Sequence, residues 1–463
     1  MTQTSLLTGP AVQAAHTVAP PTATRCPRPA MQQPNIGFLF NHEQGHQLAH
    51  SAPILAALAT REDQLAQLHA FVSSPARQRE LKALIPAPAW RNITVHNIAP
   101  PTTARWAEAL TGGAVPLQRI GSLVKHRALL KSMDVLVAPE TTCTLLKTHL
   151  GCHNTRFVYT QHGAGDRAVG FKKIIARFDH VLVPGHKIRN RMLAAGIVRE
   201  HGYSVVGYPK FDALSPSAGR STFPNDNPTV LYNPHFHPAL SSWYRDGLKV
   251  LEFFADNPQF NLIFAPHVML FTRRVHASCS PPRLRFSGTI PARFLRCDNI
   301  LVDPGSQRSM DMTYTRAADI YLGDASSQVY EFLTRPKPCL FLRSHGVSWA
   351  DDPNYAHWHL GKVLDSPDGL GAALKNLSWF DDTLRTRQRR AFRATFGEAP
   401  FGASDRAANV IITLAAGRHR ATVPFLPSQT SYAGHAQPGY PKPGRSKPGR
   451  SKPRRSKQGD YHA

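Results

Sequence analysis

Acidic residues are scarce. The chain of 463 residues carries 30 Asp+Glu against 55 Lys+Arg, a formal net charge of +25. Such a balance points to an anionic partner: nucleic acid, a phosphorylated substrate or an acidic membrane surface. Cysteine is sparse as well. Cys26, Cys143, Cys152, Cys279, Cys297 and Cys339 show no C-x-x-C spacing. That excludes a disulfide scaffold and reads as a reduced, cytosolic chain. No apolar run reaches the roughly 18 residues of a membrane-spanning helix. Residues 1–33 lack the continuous apolar segment of a secretory signal. They are polar and Pro-rich, so they read as a disordered leader, or as an upstream start with the working protein beginning near Met31.

The charge is uneven. From Ser431 to Ala463 eight Lys/Arg face one Asp, so the tail holds +7 and the rest +18. Residues 421–463 include a five-residue Lys-Pro-Gly-Arg-Ser repeat from Lys442. It has no apolar residues to bury and is expected to be disordered.

The body alternates strands and helices. Ile36–Phe40, Ile93–Ile98, Val135–Ala138, Phe157–Thr160, His180–Pro184 and Ser204–Gly207 are strand candidates in the first half. Helical patterns are predicted over Ala52 to about Leu84, Leu117–Lys131, Val169–Phe178 and Lys187–Ala195. Residues 215–228 are rich in Ser, Pro, Gly and Asn and read as a linker. The alternation then restarts with strands at Thr229–Tyr232, Asn261–Ala265, Asn299–Val302, Asp319–Leu322 and Pro338–Leu342. Thr272–Arg296 holds six arginines and no clear period, so it is expected to be a basic loop. Three helical segments follow, near Gly369–Leu377, Trp379–Phe396 and Ser404–Ala416. Apolar strands alternating with helices predict two doubly wound α/β domains, 34–214 and 229–420, facing across a cleft. Ligands of such sheets bind beyond the carboxyl ends of the strands.

Four strand-end segments carry the chemistry. Thr160-Gln-His-Gly-Ala-Gly-Asp166 places His162 where catalysis is expected, and Gly163 allows close backbone approach. Val206-Gly-Tyr-Pro-Lys210 brings Lys210 to the linker side of the cleft. Phe264-Ala-Pro-His267 ends a strand at Pro266, and arginines follow His267, a pairing suited to phosphate. Ala318–Phe332 runs a strand into Asp324, then opens a helix at Ser326 and Ser327, with Glu331 beyond. Hydroxyls at a helix start suit a nucleotide pyrophosphate. Taken singly, each segment also reads as an ordinary turn or cap.

Together the four resemble the CDP-glycerol glycerophosphotransferases, the teichoic-acid-type polymerases and primases of GT-B fold. The matching elements are His162-Gly163, Gly207-Tyr-Pro-Lys210, Pro266-His267, and Asp324-Ala-Ser-Ser327 with Glu331, in family order from about Phe157 to Leu342. The chain departs from the family at Gln161-His-Gly-Ala-Gly165, where Trp-His-Gly-Thr-Pro is usual. It departs again at Pro234-His-Phe-His-Pro238, where Thr-Trp-Arg is usual. The resemblance implies that a hydroxyl of a cell-envelope polymer or lipid-linked acceptor attacks CDP-glycerol, or another nucleotide-activated donor, and that CMP leaves. His162 would be the base or a charge stabiliser, and His267 the second catalytic histidine. Gly163, Lys210, Asp324, Ser326, Ser327 and Glu331 would bind donor, with Glu331 on the ribose. Neither cofactor nor metal is expected, there being no Asp-x-Asp pair. The implied location is cytoplasmic, peripheral on the inner face of the membrane through the basic tail.

Other readings compete. A nucleotide-sugar glycosyltransferase, or an enzyme like UDP-GlcNAc 2-epimerase, would share this architecture. His42-Glu-Gln-Gly-His46 matches the H-E-x-x-H of zinc peptidases, which needs both histidines on one helix. Here the segment follows a strand directly, and Gly45 weakens a helix. In the transferase reading His42, Glu43 and His46 face the acceptor. Specific nucleic-acid binding is not expected, because the basic tail lacks stacking aromatics and recognisable motifs.

Overall fold

Short apolar runs buried on both faces build two sheets. The computed structural model describes residues 33–42, 45–110, 115–213, 222–279 and 282–417. The leader (bar Gln33), linker residues 215–221 and the tail 421–463 lie outside the described residues. Strands β1 (Asn35–Phe40), β2 (Gln67–Val72), β3 (Ile93–Asn97), β4 (Val135–Ala138), β5 (Arg156–Thr160), β6 (His180–Val183) and β7 (Tyr203–Val205) form the first sheet. Its order is β3-β2-β1-β4-β5-β6-β7. The second sheet uses β8 (Thr229–Asn233), β9 (Asn261–Phe264), β12 (Ile300–Val302), β13 (Ile320–Gly323), β14 (Cys339–Leu342) and β15 (Lys362–Leu364), in the order β12-β9-β8-β13-β14-β15. Between β9 and β12 lies a hairpin of β10 (Val275–Cys279) and β11 (Pro282–Phe286). Every strand pair except the hairpin is parallel. Each sheet has apolar clusters over both faces. The two doubly wound domains expected from the alternation are therefore present.

Several expectations differ in detail. The helix predicted over Val169–Phe178 is two 3-10 turns, Ala168–Gly170 and Lys173–Arg177, and that over Leu117–Lys131 is two helices, Leu117–Lys125 and Arg127–Lys131. The predicted helix from Ala52 to Leu84 is two helices, Ala52–Ala59 and Pro75–Leu84, with β2 between them. Sheet pairing on both sides, to β1 and β3, overrides the helical character of an Ala- and Leu-rich segment. The predicted basic loop at Thr272–Arg296 contains the β10–β11 hairpin. The last helix, Ala403–Ala416, sits in sequence within the second domain but packs on the first sheet. There Ala407, Ala408, Ile411 and Ala415 join the core of β1 and β4.

Candidate active site

A cavity of about 470 Å³ opens between loops from both sheets. From the first sheet come Gln161–Arg167 after β5 and Tyr208–Lys210 after β7. From the second come His235–His237 after β8, His267–Met269 after β9 and Ala325–Glu331 after β13. All strands within a sheet are parallel, so their carboxyl-end loops converge on one rim.

His162 has a defined tautomer. Its Nδ1 lies 2.9 Å from the carbonyl of Pro139, at the end of β4. A carbonyl only accepts, so Nδ1 carries the proton and Nε2 keeps a lone pair. The residue is exposed to solvent, yet the protein atoms crowded around the ring desolvate it. That desolvation lowers its pKa below the ordinary histidine value, although the Pro139 bond pulls the other way. A neutral imidazole at neutral pH results.

His267 is set oppositely. The backbone N–H of Met269 donates to its Nδ1 at 3.2 Å, so in the neutral ring the proton sits on Nε2. Both rings line the same cavity. One thus offers an acceptor and the other a donor. Across the cleft, Arg167 of the first domain comes within 3.0 Å of His235 Nε2, while the His237 N–H donates to His235 Nδ1 at 3.0 Å. Burial and the neighbouring His267 and Arg167 push the His235 pKa well down.

Gly165 lets the first-domain loop approach the second, whereas a Cβ on Gly163 would make only ordinary contact, 3.5 Å from Ser327 Oγ. A Cβ on Gly165 would stand 2.9 Å from Ser327 Cβ. Ser326 and Ser327 line the cavity, but the helix behind them is one short turn, Gln328–Phe332. Ser326 Oγ already accepts the N–H of Gln328 at 3.2 Å. The helix start expected from sequence is therefore a single short turn, and its dipole is correspondingly small.

Lys210 and Glu331 are both buried in the cavity wall and pair with each other at 2.7 Å. Tyr208 donates to the other oxygen of Glu331 at 2.9 Å. Sequence had each contacting donor independently. The structure joins them as one buried, hydrogen-bonded ion pair.

Asp324 does not line the cavity. Its carboxylate turns inward and accepts the backbone N–H groups of His235 at 2.9 Å and Ser242 at 2.6 Å, and the Ser242 hydroxyl at 2.8 Å. It fixes the loop after β8 beneath the site. On the acceptor side, His42 is buried at the end of β1 and is not part of the cavity wall. Glu43 and the His46 side chain lie outside the described residues. One turn onward, Gln47 and His50 of the 3-10 helix Gly45–His50 do line the cavity. His42 precedes that helix, so the paired α-helical histidines of a zinc peptidase are not formed.

Sequence reasoning passed over a second network. Asp166 accepts from Lys187 at 2.9 Å, Tyr330 at 2.7 Å and the His357 backbone at 3.0 Å, with the His357 ring at 3.1 Å. Burial alone would raise this carboxyl, but Lys187, His357 and Tyr330 together hold it well below the usual range. Asp166 and Lys187 belong to the first domain, Tyr330 and His357 to the second, so the network ties the two walls. The only sequence signal was the acid closing Gln161–Asp166. His357 lies in the 3-10 helix Pro353–Leu360 and had none.

Two doubly wound domains with a cavity between facing strand ends define the GT-B fold. Solved structures bear this out. The wall teichoic acid polymerase TagF superposes with a TM-score of 0.53 at 13% identity, over 84% of this chain and 91% of that one. The MnaA–UDP structure from S. aureus gives 0.53 at 14%, over 82% and 96%. UDP-GlcNAc 2-epimerase from Neisseria meningitidis, bound to UDP-GlcNAc, gives 0.53 at 13%, over 82% and 100%. No protein-family model matches the chain, and no curated protein matches it by sequence.

Proposed function

We infer that the protein is a transferase acting on a nucleotide-activated donor, with CDP-glycerol as the donor and a hydroxyl of a cell-envelope polymer or glycolipid as acceptor. The observation that carries this reading is the pair His162 and His267, set in opposite tautomers in one cleft. The acceptor oxygen attacks the β-phosphorus, and its proton passes to His162 Nε2. The new P–O bond forms as the bond to the CMP phosphate breaks, and CMP leaves with the electron pair. His267 Nε2–H, Arg167 and the Ser326–Ser327 turn stabilise the charge on the phosphates. Lys210 orients Glu331 toward the ribose hydroxyls. Such a transfer depends mainly on positioning and electrostatics.

A nucleotide-sugar donor is the second reading. It is favoured by the departures at Ala164-Gly165 and Pro234–Pro238, which border the cavity where the reacting group would sit. One assay separates the two. Full-length protein is incubated with CDP-glycerol and, separately, with UDP-sugars, with and without a hydroxyl acceptor. CMP release supports the first reading and UDP release the second; release of neither rejects both.

A further inference from the structure

The helix Thr102–Leu110 is turned inside out. Its exposed side carries Trp106 and Leu110, 75% and 89% exposed, which lie one turn apart on the same face. Its only acid, Glu108, is buried and accepts the Gln118 N–H at 2.7 Å. An ordinary surface helix does the reverse. The helix Leu117–Lys125 packs beside it, where a Cβ on Gly121 would come within 2.9 Å of Ala104 Cβ. That helix adds exposed Val124, and Val115 just before it is also exposed.

Basic residues dominate the same stretch of chain. Residues 102–131 hold five basic side chains against the single Glu108. Arg105, Lys125, Arg127 and Lys131 are exposed, while Arg119 turns toward Glu140 at 3.8 Å. An indole and a leucine flanked by cations match the boundary between headgroups and acyl chains of an anionic bilayer. The same excess of positive charge disfavours pairing with a second copy of this stretch. None of these residues lines the cavity between the domains.

We propose that this face docks on an anionic lipid surface, with Trp106 and Leu110 entering the interface and Arg105, Lys125 and Arg127 meeting the headgroups. It stands independently of the donor reading, and in that reading it brings the cleft to a lipid-linked acceptor.

The test is co-sedimentation of the full chain with vesicles of phosphatidylcholine, with and without phosphatidylglycerol, at low and high salt. Wild type should bind the phosphatidylglycerol vesicles. Binding by charge alone, including any by the basic tail, is screened at high salt, so the apolar contribution is read there. W106Q/L110Q should bind at least about tenfold more weakly at high salt, since two interfacial apolar side chains are lost. R105Q/K125Q/R127Q should lose about fivefold per residue at low salt. Unfolding midpoints should hold, because the replaced side chains are exposed; should the double variant misfold, W106Q alone gives the same reading. The proposal is overturned if W106Q/L110Q sediments like wild type at high salt, or if wild type binds no vesicle. A wild-type dimer that W106Q/L110Q dissociates would also overturn it, by assigning the face to self-association.

Discussion

A single proton decides what His162 does. Pro139 holds it on Nδ1, and enclosure keeps the ring uncharged at neutral pH by lowering its pKa below 6.5. In the proposed reaction His162 is the base, and a base works above its pKa and fails below it. Turnover should therefore be flat near neutrality and fall as pH drops below the ordinary histidine range. In His162→Asn the amide can still donate to Pro139 but cannot take the proton. Its kcat for nucleotide release should fall by about 10²–10⁴-fold with little change in KM, and the acid limb should vanish. A variant that keeps both turnover and that limb would show the base lies elsewhere. The place of His162 on the cavity wall was legible in the sequence, because it closely follows the apolar strand β5. Asp324 was misread for the same reason. A strand-end acid suggests a ligand contact, but the loop after β8 presents N–H groups of His235 and Ser242 that need an acceptor. Those residues lie some ninety positions earlier in the chain, beyond the reach of local pattern. His357 was invisible because its place is set by Asp166 and Asp324 rather than by neighbours in sequence.

At the scale of elements, the strands flanked by turn residues and buried on both faces were readable. β2 was not, because Gln67–Val72 continues a helical period and becomes a strand only between β1 and β3. The β10–β11 hairpin was hidden by its arginines, which fall on alternate positions of β11 at Arg283 and Arg285. The last helix was seen, but nothing local says which sheet it covers. Gly207 shows the return path. Its φ of +91° favours glycine, and a Cβ would also displace the Arg406 guanidinium and press on Ala403 Cβ at 3.0 Å. Ile411 is fully buried against the first sheet. Ile411→Ala should cost about 2–5 kcal/mol in urea unfolding. If this helix joins the two halves, fluorescence and circular dichroism should shift to the same new midpoint. Loss of stability in only one of two separated transitions would show that the sheets unfold independently.

On the whole molecule, the scarcity of acids meets a large reserve of histidine: 23 residues beyond the +25 already present. Several are folded in as neutral rings. Burial pulls His180, held by Ser204 at 2.9 Å, down to about 4, and burial with neighbouring His267 and Arg167 also pushes His235 well below the ordinary histidine value. A depressed histidine binds fewer protons folded than unfolded, so stability is full above the unfolded pKa near 6.5 and drains as pH falls toward the folded value. His180 alone should contribute about 2–3 kcal/mol of loss between pH 7 and pH 4.5. Asp166, also depressed, does not offset this. Its stabilisation is intact above the unfolded aspartate value and fades only at lower pH. Each proton taken up also adds to a positive charge with few carboxylates to absorb it. Urea unfolding should therefore weaken steeply from pH 6.5 to 4.5, and His180→Gln should flatten that slope by its own share. A curve level across the window in both proteins would mean these rings are solvated, and the account of the buried histidines would fail with it.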